Sequence, residues 1–323
     1  MQQSALLEDE VVAAPVMEIE FGRALRDGLR STPKQISPKY FYDERGSQLF
    51  DQICELPEYY PTRTEFSILE HNAAAIADQI GPRAEIIEFG AGSLTKVRVL
   101  LDALDQPQRF LPIDISGDHL ENAADELRID FPELDVEAIA GDYTRSLELP
   151  DRATNGGRRV GFFPGSTIGN FTPEEALAFL KRAARLLHGG GLLIGVDLVK
   201  SPAILHAAYN DAQGVTAAFN MNLLHRANRE LGSDFDLHAF EHYAFYNPAL
   251  QRIEMHLVSR RDQIVHVGGE SFTFREGETI HTESSHKFTN HGLATLAAKA
   301  GFGVGKCWTD PDQLFSVHWL PVD

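Results

Sequence analysis

Short apolar runs alternate with amphipathic stretches through the middle of the chain. The runs span residues 84–93, 109–116, 136–143, 159–166 and 192–199, and each carries Gly, Asp or Ser near its end. The stretches between them place apolar residues at the helical repeat. Strands that are apolar on both faces and that alternate with helices are typical of a parallel sheet covered on both sides. The pattern therefore predicts a doubly wound α/β core.

The alternation ends at Lys200. Ser201 and Pro202 are typical of a helix start, and the strand patterns that follow, up to about Glu283, are typical of antiparallel pairs. A helix and two strands complete the chain, and we expect them to rejoin the core sheet. The intervening segment then forms an inserted α+β substrate-binding lobe.

The same patterns predict how the chain is divided. A helical pattern runs from Thr64 to Gln79, with Thr64 as its N-cap. We expect a flexible tail at residues 1–16. Residues 17–60 and 201–285 are expected to form the lobe, and residues 61–200 and 286–323 the core.

Charge and composition restrict the class of protein. The 323 residues contain 29 Lys and Arg against 47 Asp and Glu, and the net charge of −18 opposes nucleic acids and anionic membrane surfaces. The two cysteines, Cys54 and Cys307, cannot form a disulfide framework and do not have a metal-ligand spacing. No run approaches eighteen uninterrupted apolar residues and the N-terminal segment is acidic, so we expect a cytoplasmic protein. We also expect a monomer without nucleic-acid or membrane partners.

Residues with nucleoside-binding chemistry follow three successive predicted strands. Gly90 opens a small-residue turn, Asp114 ends the second strand, and Asp142 with Tyr143 follows the third. Carboxylates at these strand ends can bind ribose hydroxyls and an adenine amino group. The third glycine of the dinucleotide fingerprint is replaced by Thr95, and a phosphate-binding loop is missing from this turn. The arrangement indicates a nucleoside without phosphates, and so S-adenosylmethionine.

The fourth predicted strand ends in an unusual turn, "PGSTIGN", at residues 164–170. Its glycines let the backbone approach a bound molecule, and Asn170 offers two N–H donors and one acceptor oxygen. Thr167 stands where the nucleophile elbow of a hydrolase requires serine. The turn is therefore interpreted as a binding element and not as a nucleophile.

Six ordered blocks resemble the histidine-specific Nα-methyltransferase family of ergothioneine biosynthesis. They span residues 38–65, 88–96, 111–116, 162–171, 207–224 and 281–288. The resemblance extends from Lys39 to Pro321 and implies a Rossmann-like, class I S-adenosylmethionine-dependent methyltransferase core. It also implies trimethylation of the α-amine of L-histidine, through its mono- and dimethyl forms, to hercynine.

The resemblance assigns a role to individual residues. Those matching the cofactor site are Tyr42, Gly90, Lys96, Asp114, Asp142 and Tyr143. Those matching the substrate site are Phe50, Tyr59, Gly165, Thr167, Asn170, Tyr209, Met255, Glu283 and Ser285. Within these sets Tyr42 and Asn170 are expected to be catalytic, and Glu283 and Ser285 to bind the imidazole ring.

Methyl transfer by in-line displacement needs aligned reactants and a deprotonated amine, which Tyr42 or a water could assist. A metal is not expected. His281, His286 and His291 are evenly spaced, but this spacing is neither a helical pair nor a metal-ligand pattern.

Other interpretations stay open. A methyltransferase of the same fold could act on another amino acid such as a tryptophan derivative, although Glu283 is unfavourable beside an apolar ring. A non-catalytic regulator could use the same nucleoside pocket. A phosphate-binding oxidoreductase is disfavoured by the missing third glycine.

Overall fold

The computed structural model describes residues 10–323 except Ser93, Ser116, Ser146, Glu148 and residues 153–156, and only the backbone of residues 10–18, Asp118 and His119. The α-helices are α1 Glu10–Arg30, α2 Glu44–Glu55, α3 Tyr60–Ile80, α4 Thr95–Ala103, α5 Gly117–Asp130, α6 Pro173–Leu186, α7 Pro202–Tyr209, α8 Val215–Leu231 and α9 Asn290–Ala300. Short 3-10 turns lie at Pro38–Phe41, Thr167–Asn170 and Leu237–Ala239.

The strands are β1 Lys34–Gln35, β2 Glu85–Phe89, β3 Arg109–Asp114, β4 Asp135–Val136, β5 Ile139–Ala140, β6 Arg159–Phe163, β7 Gly191–Asp197, β8 Phe240–Asn247, β9 Arg252–Ser259, β10 Gln263–Val267, β11 Glu270–Phe274, β12 Thr279–His286, β13 Cys307–Thr309 and β14 Phe315–Pro321. The chain divides into two compact units. The lobe unit comprises Met1–Tyr59, Pro202–Pro248 and Ile253–Ser284. The core unit comprises Tyr60–Ser201, Ala249–Arg252 and Ser285–Asp323.

The core unit contains an eight-stranded sheet with the order β13-β14-β7-β6-β2-β3-β4. The eighth strand, β5, pairs with the end of β3, whereas β4 pairs with the start of β3. Strands β7, β6, β2, β3 and β4 run parallel, whereas β14 is antiparallel to both β7 and β13. The strand order reverses between β2 and β6, and ligands of open α/β sheets bind outside the carboxyl ends of strands at such a point. This topology confirms the predicted doubly wound fold.

Both faces of this sheet are covered. Ile86 and Phe110 belong to an apolar cluster with α3, α4 and α5, whereas their chain neighbours Ile87 and Leu111 belong to a second cluster with α6 and α9. All four side chains are completely buried. Alternate residues of a strand point to opposite faces, so burial on both sides requires the near-continuous apolar runs that the sequence shows.

The lobe unit is built on a four-stranded sheet with the order β1-β12-β9-β8, beside a separate β10-β11 hairpin. Helix α8 contributes Phe219, Leu223 and Leu224 to the buried core of this unit. The unit therefore has the α+β character that the sequence predicts for the inserted lobe.

One predicted helix start is wrong. Helix α3 begins at Tyr60 and not after Thr64, because Pro61 fits the first turn of a helix and extends it. Helix α1 begins at Glu10, inside the expected tail, since Ala13 and Ala14 are strong helix formers that continue the amphipathic pattern. The rest of that tail, residues 1–9, lies outside the described residues. Among those that are described, the helices are too short or too polar to cross a membrane.

Candidate active site

Gly90 forms the turn after β2 with the backbone in the left-handed region, at a φ of 73°. Its N–H donates to Ile113 O at 2.9 Å, which fixes the turn against the next strand. A Cβ at this position would lie 3.3 Å from Cε1 of Tyr143. The turn therefore requires glycine both for its conformation and for the space beside Tyr143.

The carboxylates of Asp114 and Asp142 both affect the pKa of the Tyr143 hydroxyl. Burial raises the pKa of Tyr143, and the two carboxylate charges raise it further. The Tyr143 ring packs edge-on against Phe163 with centroids 5.7 Å apart, and Asp142 accepts from the Thr144 N–H at 2.9 Å. Two carboxylates and one aromatic face thus meet at the carboxyl edge of the sheet. This chemistry fits the ribose and adenine of a nucleoside.

Lys96 lies in the first turn of α4 and donates to the buried carboxylate of Glu65. The same carboxylate accepts the backbone N–H of Gly165, at 2.8 Å to Oε2 and 3.1 Å to Oε1. Glu65 therefore ties the turn after β6 to the lysine that the sequence assigns to the cofactor.

Glu88, near the end of β2, is a further acidic group beside this cluster. Burial raises its pKa to about 8, against the opposing effect of the Lys96 charge. Its Oε2 atom is buried and has no hydrogen-bond partner among the described residues. Glu88 is therefore expected to be largely protonated at neutral pH, a feature that the sequence did not indicate.

The turn after β6 presents Thr167 and Asn170 on a rigid backbone. Ser166 has a φ of 57°, and its Oγ accepts the backbone N–H of Asp197 at 2.9 Å. Thr167 Oγ1 donates to Pro164 O at 2.9 Å. Asn170 ends the 3-10 turn and is half-buried.

The lobe unit contains an aromatic wall made of predicted substrate residues. The ring centroids of Tyr42 and Phe50 are 5.7 Å apart, those of Phe50 and Tyr59 are 6.3 Å apart, and those of Tyr59 and Tyr209 are 6.4 Å apart. Phe219 packs against both Tyr42, at 5.8 Å, and Phe50, at 6.1 Å. The sequence did not identify Phe219, because its helical spacing is equally typical of a core residue.

Asp43 fixes the backbone beside Tyr42. It caps α2 by accepting the Gly46 N–H at 2.8 Å, and it also accepts from Asn222 at 2.7 Å and from Arg229 at 2.6 Å. Burial raises the pKa of Asp43, but these donors outweigh burial and hold the pKa below its ordinary value. The segment that carries Tyr42 is therefore tied to both α2 and α8.

Glu283 is a buried carboxylate near the aromatic wall, with 8% of the residue exposed. Burial raises the pKa of Tyr59 well above its ordinary value, and the charges of Tyr209, Cys54 and Glu283 add to the effect. Met255 is 1% exposed on β9. Tyr59 is therefore a neutral hydroxyl at physiological pH, able to donate a hydrogen bond.

Among the described side chains, Glu254, His256 and His281 have metal-ligand chemistry, with their ligand atoms within 4.8 Å of one another. The sequence did not group them, because they come from two strands far apart in the chain. The rings of His256 and His281 stack at 4.9 Å with planes 24° apart. The nitrogen lone pairs of the two histidines therefore lie in two nearly parallel planes. The expectation that the protein needs no metal stays a prediction.

Each unit thus brings together part of the predicted site. In the core unit these are Gly90, Lys96, Asp114, Asp142, Tyr143, Gly165, Thr167, Asn170 and Ser285, and in the lobe unit they are Tyr42, Phe50, Tyr59, Tyr209, Met255 and Glu283. The ligand that each residue binds stays a prediction.

The doubly wound sheet, with carboxylates and a small-residue turn at its carboxyl edge, defines a Rossmann-like S-adenosylmethionine-dependent methyltransferase. The chain belongs to the family of histidine-specific, S-adenosylmethionine-dependent methyltransferases, whose model matches residues 21–322. This confirms the family and the methyl donor that the sequence resemblance implied.

Three relatives extend this similarity. A histidine N-alpha-methyltransferase of Mycolicibacterium smegmatis is 44% identical over 295 residues, covering 90% of this chain and 91% of the relative. One of the same name from Mycobacterium tuberculosis is 44% identical over 296 residues, covering 89% and 90%. Ergothioneine biosynthesis protein 1 of Neurospora crassa is 32% identical over 309 residues, which cover 89% of this chain and 33% of the relative.

Proposed function

We propose that this protein transfers three methyl groups from S-adenosylmethionine to the α-amino nitrogen of L-histidine, forming hercynine for ergothioneine biosynthesis. The observation that carries the proposal is the buried Glu283 carboxylate near an aromatic wall. A carboxylate gains a charge-assisted hydrogen bond from a ring that offers an N–H and gains none from an apolar ring, so Glu283 favours the former.

In the proposal, the strand-end residues of the core unit bind the methyl donor. Asp114 binds the ribose hydroxyls, Asp142 the adenine amino group, and Tyr143 the adenine face, with Gly90 leaving room for the nucleoside. Lys96 binds the methyl donor at the same carboxyl edge of the sheet. When bound, S-adenosylmethionine supplies the electrophilic methyl group.

The remaining residues are proposed to bind the amino acid. Asn170 and Tyr209 bind its backbone end, with contributions from Tyr59, Gly165 and Thr167. Glu283 and Ser285 bind the ring, with apolar contacts from Phe50 and Met255. Alignment of the amine with the methyl group supplies much of the rate enhancement.

Before each of the three attacks the nitrogen loses one proton, first from the ammonium group of histidine and then from the mono- and dimethylammonium products. Each transfer then forms one N–C bond and breaks one S–C bond, and S-adenosylhomocysteine leaves. Tyr42 assists removal of that proton, directly or through a water. The final product is a quaternary cation, which the aromatic rings of Tyr42 and Phe50 favour through cation–π attraction.

Mass spectrometry of the reaction with L-histidine tests the proposal. Purified protein and S-adenosylmethionine are expected to yield mono-, di- and trimethylhistidine in sequence. With an isotopically labelled α-nitrogen, fragmentation of the final product is expected to release labelled trimethylamine. Transfer to a tryptophan derivative would support the other amino-acid specificity, and binding without transfer would support a regulator. The same proposal includes a monomeric state, a cytoplasmic location and independence from metals. Size-exclusion chromatography tests the monomeric state, and chelator treatment tests the independence from metals.

A further inference from the structure

A buried carboxyl group lies near the carboxyl end of β2 in apolar surroundings. Glu88 is 3% exposed, and its Oε2 atom has no hydrogen-bond partner among the described residues. Its neighbours across the sheet are Pro112 on β3 and Phe162 on β6, whose apolar side chains cannot replace the hydrogen bonds of water. An ionised carboxylate is therefore unfavourable at this position unless a positive charge balances it.

Glu88 lies beside the point of the sheet at which ligands of this fold bind. It is two residues before Gly90, on the strand that borders the reversal of strand order between β2 and β6. Alternate residues of a strand share a face, so Glu88 is on the same face as Ile86, which packs against α3 and α4. The carboxyl group is therefore within the core unit, close to its carboxyl edge.

The charged groups around Glu88 leave it without a cation of its own. They are Glu65 on α3, Asp114 at the end of β3 and Lys96 on α4. Lys96 already bonds the carboxylate of Glu65, which also accepts the Gly165 N–H. Burial raises the pKa of Glu88 to about 8; the Lys96 charge lowers this pKa, and the charges of Glu65 and Asp114 raise it.

The other neighbouring segment does not change this balance. Residues 160–171, which comprise most of β6 and the turn after it, contain no acidic or basic side chain. S-adenosylmethionine carries a sulfonium and an α-ammonium group but only one carboxylate, so it brings net positive charge to its site. Coulombic attraction is strong where water is excluded, and a positive charge near a buried carboxyl group favours its ionised form.

We propose that Glu88 is protonated without the methyl donor and ionises when the donor binds, so that its carboxylate balances the positive charge of the donor. The proton passes to the solvent, and no other bond changes. Donor binding then becomes tighter as pH rises towards the pKa of Glu88 in the free protein. This inference goes beyond the proposed function, because it concerns the methyl donor and is independent of which amino acid is methylated.

Calorimetry in two buffers with different heats of ionisation counts the protons released on binding. At about pH 7 a group with a pKa of about 8 is about 90% protonated, so the wild type is expected to release about 0.9 proton more per bound S-adenosylmethionine than Glu88→Gln. Glutamine has the shape of the protonated side chain but cannot ionise. Equal proton release by the two proteins would overturn the proposal.

The affinity for S-adenosylmethionine gives a second measurement. From about pH 6 to about pH 7, the Kd is expected to fall about tenfold in the wild type and less than about twofold in Glu88→Gln. The α-amine of the ligand cannot produce this result, because its binding as an ammonium takes up protons. If Glu88→Gln does not fold, the wild-type profile still decides, since a Kd that does not fall with rising pH would overturn the proposal.

Two control variants and a second ligand complete the experiment. Glu70→Gln alters an exposed carboxylate of α3, and Glu88→Asp keeps a carboxyl group that can ionise, so both are expected to retain the proton release. S-adenosylhomocysteine has no sulfonium. Smaller proton release with this ligand would assign the effect to the sulfonium and equal release to the α-ammonium, and either result supports the proposal. Loss of proton release in Glu70→Gln would contradict it.

Discussion

Glu65 and Lys96 form an ion pair in the core unit, with the Glu65 side chain 1% exposed and that of Lys96 17% exposed. The carboxylate also accepts the Gly165 N–H, and a Cβ on Gly195 would lie only 1.9 Å from Glu65 Oε1. Glycine at position 195 therefore makes room for this carboxylate within the sheet. Glu65 links the helix that carries Lys96 to the turn that carries the predicted substrate residues.

Replacing Glu65 by Gln is expected to lower the free energy of unfolding by about 3 kcal/mol. The amide retains the shape but leaves the Lys96 ammonium without its anionic partner. Chemical denaturation measures the change, with Glu70→Gln on the exposed face of the same helix as the control. A loss no greater than the roughly 0.5 kcal/mol expected of the control would contradict the importance of the ion pair.

Gly90→Ala and Gly81→Ala form a matched pair. Both glycines have positive φ, at 73° and 83°, but a Cβ meets Tyr143 at position 90 and nothing within 4 Å at position 81. Each change is expected to cost about 1 kcal/mol of stability from backbone strain. Only Gly90→Ala is expected to weaken S-adenosylmethionine binding, by about tenfold or about 1.4 kcal/mol in calorimetry. Equal affinities in the two variants would place the nucleoside away from Gly90.

Glu88 is expected to make stability depend on pH. Its pKa in the folded protein is about 8, above the ordinary value of 4.5. Because the folded state favours the protonated form, the stabilisation is full below pH 4.5 and is lost as pH rises through about 8. The side chain in Glu88→Gln stays neutral. Between about pH 6 and pH 9, the free energy of unfolding of this variant should therefore increase by roughly a few kcal/mol relative to that of the wild type. Identical pH profiles in urea denaturation would show that Glu88 is ionised throughout.

Asn170→Ala is expected to reduce histidine turnover at least about tenfold, since it removes the donors and the acceptor that hold the amino acid for attack. S-adenosylmethionine affinity should not change. Asn72→Ala provides a control, because Asn72 bonds only its own helix at Ile68 O among the hydrogen bonds described. Steady-state kinetics and calorimetry together check this expectation, and an unchanged kcat/KM would remove Asn170 from the site.

Much of the fold could be predicted from the sequence. The near-continuous apolar runs at Ile86–Ile87 and Leu192–Ile194 identify strands buried on both faces, and the acids and glycines that follow them mark the carboxyl edge. Helix ends were less certain, as the start of α3 at Tyr60 shows, since several residues near a helix start are compatible with the first turn.

The interactions that the sequence did not predict join residues far apart in the chain. Glu65 reaches Gly165, and Asp197 reaches Lys287, without any local pattern that relates the partners. Phe219 is similar, because a helical apolar residue has the same signature whether it packs in a core or supports a binding wall. Such contacts follow from the tertiary arrangement and not from spacing along the sequence.

The identity of the amino acid that receives the methyl groups decides whether the protein is a histidine methyltransferase. Purified protein is incubated with S-adenosylmethionine and an equimolar mixture of the standard amino acids, and the methylated products are separated by mass spectrometry. We expect a series that ends in Nα-trimethylated histidine, with the other amino acids unchanged. Methylation of tryptophan or another amino acid in preference to histidine, or of a ring nitrogen in place of the α-amine, would contradict it.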